Sequence, residues 1–163
     1  MLPRKPLNPD QALQKARQYC AYQERSHSEV KEKLYSLGLR KNEVEQVLTQ
    51  LIEEDYCNEE RFAELFAGGK FRMKQWGKIK IRHALQEKRI SEYCIKKALR
   101  AISEEDYSKT LEKIANQRWE SVKTEKNIFT RMAKTRDYLM QKGYESELVS
   151  KIVQHLKSPD ALS

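Results

Sequence analysis

Proline and glycine are scarce in this 163-residue chain: four prolines, at positions 3, 6, 9 and 159, and five glycines. Proline breaks helix interiors and glycine weakens them, so their scarcity between positions 10 and 158 leaves that whole stretch free to be helical. The proline-bearing ends are expected to fray. Cysteine is equally sparse. Cys20, Cys57 and Cys94 are odd in number, far apart and without a Cys-x-x-Cys pair, which excludes a disulfide framework and points away from zinc. Each lies in or beside an amphipathic segment, where a reduced, half-buried thiol is expected. Only three histidines are present (His27, His83, His155), none with a second ligand at helical spacing, so neither metal nor other cofactor is expected. No apolar run approaches the roughly 18 residues of a membrane span. The opening "MLPRKPLNPDQ" has no apolar core after its basic residues, so it does not read as a secretory signal. A soluble, cytoplasmic chain is expected.

Between the ends, apolar residues recur every three or four positions, the period of amphipathic helices. Helices are predicted near 10–24, 28–37, 41–54, 58–74, 78–88, 91–102, 104–121, 126–141 and 145–156. Ser26/Ser28, Asn58, Ser91 and Ser103 stand where N-caps belong, and Gly38 and Gly143 where helices should stop. "KIKIR" (Lys78–Arg82) alternates like a strand. An internal repeat resolves it. Leu34, Leu85 and Leu139 align; four residues on come Gly38, Arg89 and Gly143, then Leu39, Ile90 and Tyr144. Val44, Ile95 and Val149 follow, then Val47-Leu48, Ala98-Leu99 and Ile152-Val153, and last Leu51, Ile102 and Leu156. In this register "KIKIR" takes a helical place. Three units of three helices result, at 10–56, 57–102 and 103–157, between a tail at 1–9 and another at 158–163. One such unit buries little alone, so neighbours must lean on one another. The expected fold is all-α, an elongated, curved array of three tandem three-helix repeats, with a compact helical bundle as the alternative. A monomer is expected.

Charge is segregated along the chain. Residues 42–69 carry eight acids and one base, whereas 70–89 carry eight bases (Lys70, Arg72, Lys74, Lys78, Lys80, Arg82, Lys88, Arg89) and one acid, in a chain whose formal net charge is +8. Surface ion pairs contribute only ~0–1 kcal/mol each, a weak reason for such separation. A field presented to a partner explains it better. The eight cations are therefore the candidate binding surface, toward phosphates or an acidic protein. Phe71 and Trp76 are candidate base-stacking groups, Trp76 beside what reads as a flexible joint at Gly77; the competing reading makes both aromatics core. No helix has the exposed Asn, Gln, Ser or Arg of a DNA-reading N-terminal turn. "AGGK" (Ala67–Lys70) lacks the pattern of a phosphate loop. Gly68-Gly69 instead predicts a kink or a close helix crossing. Ser26-His27-Ser28 is a helix start rather than a nucleophile arrangement, and no catalyst is expected.

With repeat and central motif laid out, the sequence resembles the RecX family of bacterial regulatory proteins over residues 10–156. The middle unit carries most of the likeness: Asn58-Glu59-Glu60-Arg61-Phe62-Ala63, then Trp76-Gly77, then "KIRHALQEKRI" (Lys80–Ile90). The matching motif positions are Glu59, Arg61, Phe62, Gly77, Ile81, Leu85 and Ile90. "RSHSEVKEKLYSLG" (Arg25–Gly38) and "YLMQKGY" (Tyr138–Tyr144) are similar to parts of the first and third units. Arg89 replaces the usual glycine and Glu59 the usual aspartate. The resemblance implies a non-enzymatic protein of DNA repair, homologous recombination and the SOS response. It would bind the RecA recombinase, lodge along the groove of its nucleoprotein filament, and mainly inhibit ATP hydrolysis and strand exchange. A nucleic-acid-binding helical protein acting on single- or double-stranded DNA independently of RecA is the alternative.

Overall fold

The protein is described by a computed structural model, covering residues 5–158. The predicted tails therefore lie partly outside the described residues, at 1–4 and 159–163. Among the described residues there are nine α-helices and no strand: α1 Pro9–Tyr22, α2 His27–Ser36, α3 Lys41–Glu53, α4 Glu59–Gly69, α5 Lys78–Glu87, α6 Glu92–Arg100, α7 Glu104–Ser121, α8 Ile128–Gln141 and α9 Ser146–Lys157, with a π-helical turn, Lys70–Lys74, continuing α4. Boundaries agree with the sequence reading to within two residues, apart from α4.

Side chains that compete with the backbone start these helices. Asn8 and Gln11 form a reciprocal capping box ahead of Pro9, which as first helical residue has no N–H to satisfy. Ser26, Asn58, Ser91 and Ser103 accept the backbone N–H groups of Glu29, Arg61, Cys94 and Asp106. Before α1 the chain runs extended, and the Leu7 N–H donates to the Leu37 carbonyl at 3.1 Å.

The repeated sequence columns are repeated structure. At the end of α2, α5 and α8 the chain closes the same turn. Leu39, Ile90 and Tyr144 donate their N–H to the carbonyls of Leu34, Leu85 and Leu139 (3.4, 3.1 and 3.3 Å), five residues back. Gly38, Arg89 and Gly143 donate to residues three back, and all three adopt left-handed backbone, φ 92, 60 and 98°. This is the Schellman stop, in which two otherwise orphaned carbonyls find partners. The flanking apolar pair is buried in every copy.

The chain divides into two compact units: residues through Phe66 together with Leu85–Ala98, and Ala67–Ala84 together with the chain from Leu99 onward. In the first, α1 packs on α2 and α3, around Ala12, Ala16, Val30, Leu34, Val44 and Leu51, with Leu7 and Leu37 against them. In the second, α7 packs on α8 and α9, and Tyr107, Leu111, Ile114, Leu139, Tyr144 and Val149 are buried. The middle repeat is thus shared between units.

A candidate cationic interface

Counted by unit, the chain's charge surplus lies wholly on one side. The first unit holds 14 Lys/Arg and 14 Asp/Glu, and the second 18 against 10, which is the entire +8. The acidic run at 43–64 is used inside the first unit. Glu54 pairs with Arg17 at 2.7 Å, Asp55 with Arg61 at 3.2 Å, and Glu60 with Lys97 at 2.8 Å. Arg61 also pairs with Glu24, and the proximity of carboxylates raises its pKa further.

Six of the eight predicted cations, Lys70, Arg72, Lys74, Lys78, Lys80 and Arg82, belong to the second unit; Lys88 and Arg89 belong to the first. Lys88 is engaged there. Its ammonium lies 3.1 Å from Glu29 and 5.9 and 5.8 Å above the rings of Phe62 and Phe66. Arg89 is exposed, and with His27, Ser28, Lys31, Glu32, Tyr35 and Glu59 it lines a cavity of about 380 Å³.

In the second unit the cations are carried by the π-turn and the start of α5. Gly68 and Gly69 do not mark a helix crossing. A Cβ on Gly69 would meet open space, and one on Gly68 only the guanidinium of Arg72. The irregularity falls after them, where five residues are wound as π-helix and Gln75 ends the turn in left-handed backbone (φ 58°). Inserted π-turns re-aim side chains relative to a regular helix. Here Phe71 is buried, 5.8 Å from the ring of Tyr107, while Arg72, Met73 and Lys74 all face solvent.

Gly77 is no flexible joint. It is buried against the end of α8, so that an added Cβ would collide with backbone atoms of Gly143 and Tyr144. The first N–H groups of α5 are taken up there: Gly77 donates to the Lys142 carbonyl (2.7 Å), Ile79 to the Gly143 carbonyl (2.9 Å), and Lys78 to the Tyr107 hydroxyl (2.9 Å). That hydroxyl in turn donates to Glu145 at 2.6 Å, and burial with the adjacent carboxylate raises the Tyr107 pKa far above its ordinary value. Tyr144 donates to the Gln75 carbonyl, and the Lys142 ammonium to the Lys74 carbonyl (2.9 and 3.0 Å). The C-terminal carbonyls of α8 thus satisfy donors that the N-terminus of α5 would leave orphaned.

Trp76 is half-buried, with the ammonium of Lys70 5.0 Å and that of Lys80 4.6 Å from its ring centre; Lys78 lies 4.9 Å from Tyr107. Neither Phe71 nor Trp76 is therefore an open stacking platform: one is core, and the other is flanked by its own lysines. Of the motif residues, Phe62, Gly77, Ile81, Leu85 and Ile90 are buried, and Arg61 is held by Glu24, Asp55 and the Asn58 side chain. Glu59 begins α4 beside the Cys94 thiol, 3.6 Å away. Most of the motif is thus core or held by hydrogen bonds and ion pairs, and Gly77 and Ile81 are its two residues that share a unit with the cations at 70–82.

Family models for the first, second and third three-helix domains of RecX match residues 12–51, 58–99 and 104–153. The chain belongs to the RecX family. It is 31% identical over 157 residues to the regulatory protein RecX of Thermotoga maritima, covering 94% of this chain and 85% of that one. To the RecX of Clostridium tetani it is 31% identical over 137 residues, 83% of this chain and 62% of the relative. The chain spans about six tenths of the length of that clostridial RecX. The crystal structure of RecX from Lactobacillus salivarius superposes with a TM-score of 0.83, at 22% identity, over 91% of this chain and 96% of that one, a likeness of fold. RecX is a family of regulatory proteins built from tandem three-helix domains, and two features that the sequence does not announce, the π-turn and the α5–α8 lock, hold the stretch that carries six of the eight candidate cations. The lock had a signal in the sequence: Gly77 and Gly143 are two of only five glycines.

Proposed function

We propose that this chain binds the RecA recombinase and its nucleoprotein filament and modulates the filament's activity, mainly by inhibiting ATP hydrolysis and strand exchange. Membership of the RecX family across all three domains carries the reading. The placement of charge supports it. Cations near a helix N-terminus oppose the helix dipole by a few tenths of a kcal/mol each, yet Lys78 and Lys80 stand in the first turn of α5. Contacts with Tyr107 and Trp76 offset that cost locally, and a recognition role would account for keeping so many cations together. Arg72, Lys74, Lys78, Lys80 and Arg82, with Lys70 beside Trp76, form the proposed contact set of the second unit, and exposed Arg89 is a separate candidate in the first. Such a set would steer encounter with an anionic partner.

The test is the double reversal Arg72→Glu/Lys74→Glu, both side chains being exposed. Inhibition of the DNA-dependent ATPase of RecA should weaken at moderate salt while far-UV circular dichroism stays unchanged. Inhibition at wild-type strength removes these two cations from the contact set. Tight, steeply salt-dependent binding of the chain to naked DNA, with no effect on RecA, would favour the DNA-only alternative.

A further inference from the structure

Met73 is 82% exposed, and its immediate neighbours Arg72 and Lys74 are exposed with it. The tripeptide is held rigidly from both sides. Phe71 is buried against Tyr107, the Lys74 carbonyl is held by Lys142, and the Gln75 carbonyl by Tyr144. The bond from Lys142 also removes an exposed carbonyl, leaving the tip cationic around one apolar side chain. The π-turn presents all three at once.

Resting on the RecA reading above, we infer that Met73 is an apolar anchor inserted into an acidic-rimmed apolar pocket on the protein subunits of the filament, with Arg72 and Lys74 meeting the rim. Charge complementarity selects the rim. The methionine favours an apolar protein pocket over the phosphate backbone, because a thioether contributes nothing to phosphate contact but fills irregular apolar pockets well. A tip already ordered in the free chain avoids much of the conformational cost of docking, and one buried anchor within a charged ring is the arrangement in which a single side chain dominates affinity.

The experiment measures binding of the full chain to RecA filaments assembled on single-stranded DNA with a non-hydrolysable nucleotide, and separately to the naked strand. Met73→Ala should weaken filament binding by about tenfold or more, with the dependence on salt unchanged and naked-strand binding unaltered. Met73→Leu should restore binding to within about threefold, since the two side chains exchange at little cost. Arg72→Gln/Lys74→Gln should instead flatten the salt dependence. Wild-type affinity in Met73→Ala, with the wild-type chain binding normally, overturns the anchor and leaves the RecA reading standing. Equal loss on filament and naked strand overturns the protein pocket in favour of DNA. Failure of the wild-type chain to bind filaments overturns both readings.

Discussion

Replacing Gly77 by alanine adds one methyl group where there is no room for it. The backbone φ of Gly77 lies outside the left-handed region, so conformation alone would admit alanine. The obstacle is the carbonyl carbon and oxygen of Gly143 and the nitrogen of Tyr144, backbone atoms that cannot swing aside. Moving α5 off α8 by enough to admit the methyl group stretches the bonds from Gly77 to Lys142 and from Ile79 to Gly143. Overpacking costs roughly 1–3 kcal/mol, and two weakened hydrogen bonds about 1 kcal/mol each, so a loss of about 3–5 kcal/mol is expected, against a total stability of about 5–15 kcal/mol for ordinary domains. Urea unfolding followed by circular dichroism measures it. The internal control is Gly69→Ala. Gly69 is helical (φ −64°, ψ −47°) and an added Cβ there meets nothing within 4 Å, so the same chemical change should stabilise, by about 0.5–1 kcal/mol. A Gly77→Ala protein within about 1 kcal/mol of wild type, beyond extrapolation error, would refute the lock. So would the two substitutions shifting stability in the same direction.

Tyr107→Phe removes the hydroxyl that joins the Lys78 N–H to Glu145; it should cost about 1–3 kcal/mol through the donor left unsatisfied, read by the same unfolding curves, and no loss would mean that water replaces the link. Arg89→Gly relieves left-handed backbone (φ 60°), worth about 1–2 kcal/mol less the extra freedom of glycine when unfolded. The variant should be slightly more stable yet a weaker inhibitor of RecA, and a gain in both would show that Arg89 makes no functional contact. Burial raises all three thiols, with Cys57 pushed up to about 12, and the thiolate is the reactive form. Native protein at pH 8 should therefore resist iodoacetamide at Cys57 until denaturant is added, which mass spectrometry of the alkylated chain would reveal; rapid native labelling contradicts the burial.

Most of the fold was legible because local signals and the repeat agreed. Leu34, Leu85 and Leu139 align, and the same alignment puts Arg89 in the column of Gly38 and Gly143, whose left-handed backbone it proves to share. It also made "KIKIR" helical against its own alternation. The π-turn was not legible. Winding Lys70–Lys74 wider than an α-helix follows no residue rule; it results from fastening Phe71, Lys74 and Gln75 to Tyr107, Lys142 and Tyr144, about 35 to 70 positions away. Gly77 misled for a related reason. Glycine beside tryptophan reads as freedom when only neighbours in sequence are considered, and the group that needs the space, Gly143, is remote. The stacking role expected of Phe71 failed on burial, and that of Trp76 on the lysines beside its half-buried ring, neither of which aromatic composition discloses.

The division of charge between units carries a last consequence. Along the sequence, acids precede bases and invite the idea that the two blocks neutralise each other. Yet Glu54, Asp55 and Glu60 hold Arg17, Arg61 and Lys97, and the first unit balances to zero while the second keeps +8. At physiological ionic strength a charge is felt over only about 8 Å, so an approaching anionic surface senses the charges nearest its point of contact rather than the chain's total. Equal changes in net charge should then have unequal effects. Arg72→Glu/Lys74→Glu in the second unit and Lys31→Glu/Lys41→Glu in the first each subtract four charges from exposed positions. Stopped-flow association with RecA filaments should slow by roughly an order of magnitude in the former, the difference shrinking as salt rises, and by far less in the latter. Equal slowing would mean that net charge alone governs encounter, and the unequal partition between units would then have no bearing on recognition.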